Sequence, residues 1–376
     1  MISDQTAAQQ YQILEFDPLS ATVPEANWRQ LAKLSIDPNP FFGPEFLKPF
    51  LEHTANRAVR LVVVREKQKQ HWLAAAPVGR RRLGIAFPVT STWATEYSPL
   101  GTPLLHPDAS QGAIAAFLHA MGGSKSVLAF PYLPLHSASA DRLRSAMAER
   151  YRSTTCATRA AHAAGETGNQ QLESAYSGKR RKEMRRLLRR LDDHGTTRFS
   201  SLSGHEAVQG FESFLHLEAK GWKGRAGTAL LSTPETAAFA RAAIANRSAE
   251  DGVRIDQLWA GNTLVAALVL FVEGGAVFSW KIAFDEEFAR YSPGAQIAVH
   301  AFRENLKLNG FKGADSLAIP GHTMIEPLWR GRLETCTLLY SGGAFSAQLC
   351  ALCQADLELE QRLRRLVRQL KKRVRP

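Results

Sequence analysis

The sequence predicts an α/β (α+β) chain of about two domains, closed by a basic amphipathic helix. Three observations carry this reading. The length of 376 residues corresponds to about two domains at roughly 150 residues each. Three apolar runs between residues 254 and 284, separated by Gly261-Asn262 and Glu273-Gly274-Gly275, read as an antiparallel meander. Segments with helical apolar spacing flank that meander on both sides. Hydrophobic residues make up 45% and charged residues 22%, values of an ordinary globular protein. Disorder, collagen and coiled coil are excluded for most of the chain. The longest apolar runs, such as 264–272, are too short to span a membrane. The start, MISDQTAAQQYQILEFDPL, lacks the basic and apolar regions of a secretory signal. Four cysteines form no disulfide framework, so a reducing cytoplasm is expected.

Along the first stretch, to about residue 165, strands are expected over 60–65 (RLVVVR) and 71–77, paired across the polar turn EKQKQ. A turn cluster follows at 99–103 and a helix at 113–121, ended by Gly122-Gly123. Residues 126–130 (SVLAF) read as a strand stopped by Pro131, and 142–151 as a helix. The small and polar residues 157–175 read as a linker or an exposed connection. The basic segment 179–190 then shows an apolar stripe of Met184, Leu187, Leu188 and Leu191, the spacing of one helix face. A strand is expected at 198–202, and helices at 206–221 and 234–245. Thr233 caps the latter, with Pro234 in its first turn. Strands at 254–260, 263–272 and 276–284, a helix at 295–308 and a strand at 312–319 complete the body. The expected division is 1–165, 166–346 and a C-terminal helix 347–376. No internal sequence repeat is visible.

The net charge of +12 is localised. Residues 179–190 hold eight basic and one acidic side chains, and 356–376 hold eight and three, so the rest of the chain is neutral. Three readings of the two basic helices stand open: solvated faces, an anionic partner such as tRNA, a membrane surface or coenzyme phosphates, and a partner helix. The last helix repeats Leu359, Leu363, Leu366, Leu370 and Val374 at threes and fours, the pattern of a surface-packed or an interfacial helix. Residues 179–190 contain no aromatic, so a base-stacking nucleic-acid module is not apparent.

The turn Tyr291-Ser292-Pro293-Gly294 between a strand and a helix is the main candidate for chemistry. The first N–H groups of a helix lack intrahelical partners and carry the positive end of its dipole, which suits a pyrophosphate. Pro293 costs no hydrogen bond there, and Gly294 allows close approach. A plain helix start is the alternative. No HExxH, GxSxG, Walker or GxGxxG motif occurs. Cys350 and Cys353 form a CxxC without a second pair, so no metal site is expected.

Six stretches in order resemble the tandem-GNAT acyltransferases of the CelD-type (cellulose biosynthesis) group, related to the Fem aminoacyltransferases. They are PFFGPEFL (40–47), WATEYSPLGTPLL (93–105), SGKRRKEMRRLLRRL (177–191), FLHLEAKGWKGRAGTAL (214–230), FARYSPGAQI (288–297) and GADSLAIPGHTMIEPLWRGRL (313–333). The resemblance implies two GNAT-like domains, each a mixed, largely antiparallel sheet flanked by helices, with the coenzyme cleft in the second. It implies an acyl-coenzyme A donor, acetyl-CoA or another acyl-CoA, held at Tyr291, Ser292, Pro293, Gly294, Ala295 and Gln296. The usual pyrophosphate loop is richer in glycine and basic residues than RYSPGAQ. The first domain is expected to lack its own site, because 107–121 has no proline-glycine turn and carries Asp108.

Amine acylation needs a base and an acid for the leaving thiolate. Glu218 is a candidate to orient or deprotonate an amine, or else a surface ion pair. His322 and Asp315 are further catalytic candidates, with a structural or solvated role as the alternative. Trp222 either walls the acceptor site or lies in the core, and Lys281 is a second substrate-contact candidate. The expected activity is transfer to an amine or hydroxyl of a small or sugar-type acceptor. An aminoacyl-tRNA-dependent Fem-like transferase and a non-catalytic GNAT pair that binds a biosynthetic complex are the alternatives.

Overall fold

The computed structural model describes residues 10–54, 58–68, 70–122, 126–322, 324–343 and 345–374, with the side chains of 346 and 368–374 left aside. In chain order the elements are β1 (Tyr11–Phe16), α1 (Glu25–Leu34), α2 (Pro44–His53), β2 (Arg60–Glu66), β3 (Trp72–Arg82), β4 (Pro88–Thr92), β5 (Leu104–Leu105), α3 (Gln111–Ala120), β6 (Leu128–Pro134), α4 (Ala138–Met147), β7 (Tyr151–Ser153) and β8 (Ala157–Ala163). Next come α5 (Gly165–Ser174), α6 (Gly178–Asp192), β9 (Thr197–Ser203), α7 (Gly204–Lys220), α8 (Trp222–Arg225), α9 (Pro234–Ser248), β10 (Val253–Ala260), β11 (Thr263–Glu273) and β12 (Ala276–Phe284). A 3-10 turn (Glu286–Tyr291), α10 (Pro293–Lys307), β13 (Gly313–Asp315), β14 (Gly331–Tyr340) and α11 (Ser346–Val374) complete the chain.

Two compact units result, and each is discontinuous in sequence. The first holds residues up to 42, 57–157 and 334–376, and the second holds 43–56 and 158–333. A division at residues 165 and 346 does not convey this. The first sheet runs β1-β2-β3-β4-β6-β14, with β4 and β6 parallel and the other neighbours antiparallel. The second runs β9-β10-β11-β12-β13-β8, with β12 and β13 parallel and the rest antiparallel. The two sheets repeat one topology that no sequence repeat discloses. In each, the sixth strand is out of sequence order: β14 follows all the other strands of the first unit, and β8 precedes all the other strands of the second.

The sheets are mixed α/β layers flanked by helices, the class expected from the sequence. In the second unit α10 packs its Ile297, Ala298, Ala301 and Phe302 against Val265, Leu268 and Val277 of the sheet. A second cluster of the unit joins Phe46 and Phe50 of α2 to Phe239 of α9 and to Phe271 and Trp280 of the sheet, mostly edge-to-face. Such aromatic pairs add roughly 0.5–1.5 kcal/mol each beyond their burial. In the first unit α11 lays Cys350, Cys353 and Leu357 on Val89, Val127, Ala129 and Leu339. The CxxC cysteines are thus core residues, and burial pushes the Cys350 thiol up to about 11.

Three local expectations are corrected. Residues 157–175 are not a linker but β8 and α5; the small residues fit because Gly168 lies against the Ala163 carbonyl, where a Cβ would come within 2.2 Å. Pro131 does not stop β6, because it falls in a bulge where Leu133 pairs with Cys336 and Phe130 with Leu338, a place that tolerates a missing N–H. The strand expected over 312–319 ends at Asp315, since Leu317 turns into the left-handed region at φ 51°. Gly122, at φ 100°, ends α3 as expected, while Gly123, Lys69 and Thr323 lie outside the described residues, as do the Leu370 and Val374 side chains.

Candidate active site

The parallel pair β12–β13 creates an opening. The strands pair only from Ala276, opposite Gly313, to Phe278, opposite Asp315. Beyond that point β12 continues to Phe284 while β13 stops, so an edge of β12 is left unpaired. Such crevices at the carboxyl ends of parallel strands are where α/β sheets bind ligands. A bulge lies at the same level: Val269 pairs with Lys281 and Leu270 with Ser279, which leaves Trp280 as the extra residue. Bulges re-aim side chains and terminate pairing beside active sites.

The start of α10 faces this region. Ser292 is its N-cap, held at φ 55°, ψ 48° with no side-chain cap bond. Left-handed backbone costs a non-glycine residue about 1–2 kcal/mol, so the packing around it imposes the turn. Pro293 has no N–H, and those of Ala295 and Gln296 both point to the Ser292 carbonyl at 3.1 Å. Gly294 carries the remaining N–H of the first turn and is buried. Met324 lies over it: a Cβ on Gly294 would sit 2.4 Å from the Met324 sulfur. The equivalent helix of the first unit, α3, is closed by its own sequence, since Ser110 Oγ accepts the Ala113 N–H at 3.2 Å and bonds Tyr11 Oη at 2.7 Å.

Two of the expected donor contacts have other partners. Tyr291 is buried, with its Oη 2.7 Å from His194 Nε2. Gln296 Nε2 donates to the Met184 carbonyl at 2.8 Å. Together the bonds fasten α6 and a residue just beyond its end to the start of α10. The most cationic helix of the unit therefore lies beside the helix start, with Met184, Leu187 and Leu191 buried and its eight cations exposed. The sequence separation of more than a hundred residues hid this neighbourhood.

The 218–225 elbow is stitched to the same connection. Lys223 Nζ donates to Glu218 Oε1 at 2.8 Å and to the Ile282 carbonyl at 3.1 Å. Glu218 Oε2 accepts the Leu230 N–H at 2.9 Å. Lys220 reaches Asp285 at 2.9 Å, and Arg225 reaches Glu286 at 2.6 Å. Glu286 also takes the Trp222 N–H at 2.7 Å. The reading of Glu218 as a surface ion pair is corrected: the pair is buried on the carboxylate side. Both of its oxygens are engaged. Trp222 is 53% exposed, so it is not a core residue. Lys281 holds its ammonium 5.8 Å over the Trp280 ring.

Asp315 is also paired. Its Oδ2 lies 3.2 Å from Arg159 Nη1, with both side chains buried, and its Oδ1 accepts the Leu317 N–H at 2.8 Å. Arg159 lies in the stretch read as a linker, so no local signal disclosed it. His322 has a different setting. It lines an open cleft of about 430 Å³ with Ala175, Gly321, Glu326, Pro327, Arg330 and Arg332. Its Nδ1 is buried and has no hydrogen-bond partner on another of the described residues. Burial, and then the Lys223 charge, hold its pKa below the ordinary imidazole value. A neutral imidazole at pH 7 can accept a proton. Glu326 accepts the Gly321 N–H at 2.6 Å and orients the loop that carries His322.

Among the described residues, the one cluster with metal-ligand spacing is His71, His106 and Asp108, in the first unit, with ligand atoms within 4.8 Å. There His106 Nδ1 already accepts the Asp108 N–H at 3.1 Å.

Residues 178–321 match the acetyltransferase (GNAT) domain family. No curated protein matches the sequence. Among solved structures, FemX is 10% identical, with a TM-score of 0.57 over 91% of this chain and 100% of that one. A conserved protein of unknown function from Bacteroides thetaiotaomicron VPI-5482 is 10% identical, with a TM-score of 0.54 over 88% of this chain and 100% of that one. A tandem GNAT protein from the clavulanic acid biosynthesis pathway is 12% identical, with a TM-score of 0.40 over 88% of this chain and 98% of that one. At such identities the first two likenesses speak for the fold alone. The chain carries a GNAT acetyltransferase domain whose borders enclose α6, the Glu218–Lys223 elbow, the wedge beside β12 and the start of α10.

Proposed function

We propose that the second unit transfers an acyl group from an acyl-coenzyme A to an amine or hydroxyl. The observation that carries this is the uncapped, left-handed start of α10 at the open end of β12. The first-turn N–H of Gly294 meets the pyrophosphate there, and the helix dipole supports it. The helix α6 lies beside that turn, and its exposed cations serve the coenzyme's phosphates. The acyl thioester enters the crevice where β12 runs past β13. His322 accepts the proton of the attacking amine or hydroxyl. Glu218 and Asp315 act as positioning residues: the first holds Lys223 and thereby the elbow, the second fixes the turn that leads to His322. Trp222 contributes an exposed apolar wall.

The acceptor sits in the His322 cleft, whose rim guanidiniums of Arg330 and Arg332 favour a molecule with an anionic group. A sugar or polysaccharide precursor fits that chemistry. The first unit binds no coenzyme, because Ser110 occupies the equivalent helix start.

The eight exposed cations of α6 favour a second reading, an aminoacyl-tRNA donor. Calorimetry with acetyl-CoA, longer acyl-CoAs and tRNA separates the two. One acyl-CoA per chain supports the proposal. Salt-sensitive tRNA binding without acyl-CoA binding overturns it.

A further inference from the structure

We propose that α11 docks the protein onto anionic phospholipid bilayers. Among the described residues, the helix is tied to the first unit along its first half. Asp356 accepts the N–H groups of Ile85, Ala86 and Phe87 at 3.0–3.1 Å. Gln354 donates to the Ser153 carbonyl at 2.9 Å, and Glu358 accepts the Thr155 N–H at 3.1 Å. Cys350, Cys353 and Leu357 form the packed face. From Arg362 to Val367 every residue is exposed.

The exposed part is not a solvated polar helix. Leu352, Leu359, Leu363 and Leu366 are 52%, 51%, 47% and 55% exposed. Steps of seven, four and three place them on one face, away from the packed cysteines. The loop that Asp356 holds adds Ile85 and Phe87, 47% and 43% exposed. Exposed apolar side chains gathered on one helix face in this way mark an interaction site rather than chance exposure.

Charge decides the occupant. Arg362, Arg364 and Arg365 are exposed beside the leucines, and the sequence continues with Arg368, Lys371, Lys372 and Arg373. No acidic residue follows Glu360. A second copy pairing leucine to leucine would bring two cationic flanks together, while Glu358 and Glu360 are already engaged by Thr155 and Arg364. A nucleic acid would satisfy the cations but leave the leucines in water. An anionic bilayer takes both: the leucines enter the acyl boundary and the cations meet headgroup phosphates. The inference stands apart from acyl transfer, since its assay reads binding alone.

The test is co-sedimentation of the full chain with vesicles of phosphatidylcholine containing one-third phosphatidylglycerol, and with phosphatidylcholine alone, at low and high salt. Wild type is expected to bind the anionic vesicles at least about tenfold more tightly than the neutral ones, and less at high salt. The triple variant Leu359→Gln, Leu363→Gln, Leu366→Gln is expected to lose about tenfold or more while its circular dichroism and melting stay unchanged. Charge removal at Arg362, Arg364 and Arg365 should do the same. Equal binding by the leucine variant overturns the proposal. So does a wild-type dimer in sedimentation that the leucine variant makes monomeric, or tRNA binding in place of vesicle binding.

Discussion

Lys223 joins two parts of the second unit: its ammonium lies 2.8 Å from Glu218 and 3.1 Å from the Ile282 carbonyl. It also contributes to keeping His322 neutral. Glu218 is 1% exposed at its side chain and Lys223 is 23%. Replacing Lys223 by Met strands a buried carboxylate, so it is expected to destabilise the unit by about 3 kcal/mol. The same change should raise the His322 pKa. Urea unfolding and proton NMR of the imidazole check the two effects separately; a stable variant with an unmoved His322 would sink the coupling.

With His322 as the proposed base, the rate should rise with pH on one limb and level off below the ordinary imidazole value of about 6.5. Below that limb the ring is protonated and cannot accept. His322→Gln is expected to lower kcat about 100-fold or more with KM for the donor little changed. A flat pH profile, or full activity in the variant, removes His322 from the chemistry.

Gly294 has no room for a methyl group while Met324 stays in place. A Cβ at Gly294 would meet the Met324 sulfur, so a larger residue there displaces its neighbour before it reports on a ligand. The informative pair is Met324→Ala with and without Gly294→Ala. Met324→Ala should retain acyl-CoA binding. The double variant should fold, because the space is relieved, yet bind acyl-CoA at least about tenfold more weakly, the loss of one charge-assisted hydrogen bond. Equal affinity in calorimetry would move the pyrophosphate elsewhere.

His162 makes the second unit acid-sensitive. It stacks on Phe302 with ring centroids 3.7 Å apart and contacts Asn305 at 2.9 Å. Burial lowers its pKa to about 4. The unfolded chain takes a proton near pH 6.5 and the folded one does not, so the stabilisation is present above pH 6.5 and is lost as pH falls toward 4. At about 1.4 kcal/mol per pH unit, the loss between pH 6.5 and pH 5 is roughly 2 kcal/mol. His162→Gln should abolish that increment in urea unfolding at the two pH values. An unchanged pH dependence would assign it to other groups.

Phe46 lies in an N-terminal segment but belongs to the second unit. It is fully buried against Phe239, Phe271 and Trp280. Phe46→Ala is expected to cost about 3–5 kcal/mol, and hydrogen exchange should show the loss in α9 and β11 rather than in β2 and β3. Loosening confined to the first unit would contradict the placement.

What the sequence settled by itself was local. Periodicity located the meander β10–β11–β12, the α6 stripe through Met184 and Leu191, and the Thr233 cap of α9, because these signals lie within a few residues. The proline-glycine turn at Ser292, Pro293 and Gly294 was legible for the same reason. The tertiary structure decided what depends on distant partners. Only folding brings Arg159 to Asp315, Gln296 to Met184 and Met324 to Gly294, and the strand residues 157–163 read as a linker because alanines carry no strong strand signal. The sixth strand of each sheet and the place of α2 were likewise invisible, since pairing across more than a hundred residues leaves no spacing in the chain. Charge count announced two basic helices. Burial alone separated them: α6 buries its apolar stripe against its unit, whereas α11 leaves Leu352, Leu359, Leu363 and Leu366 in solvent.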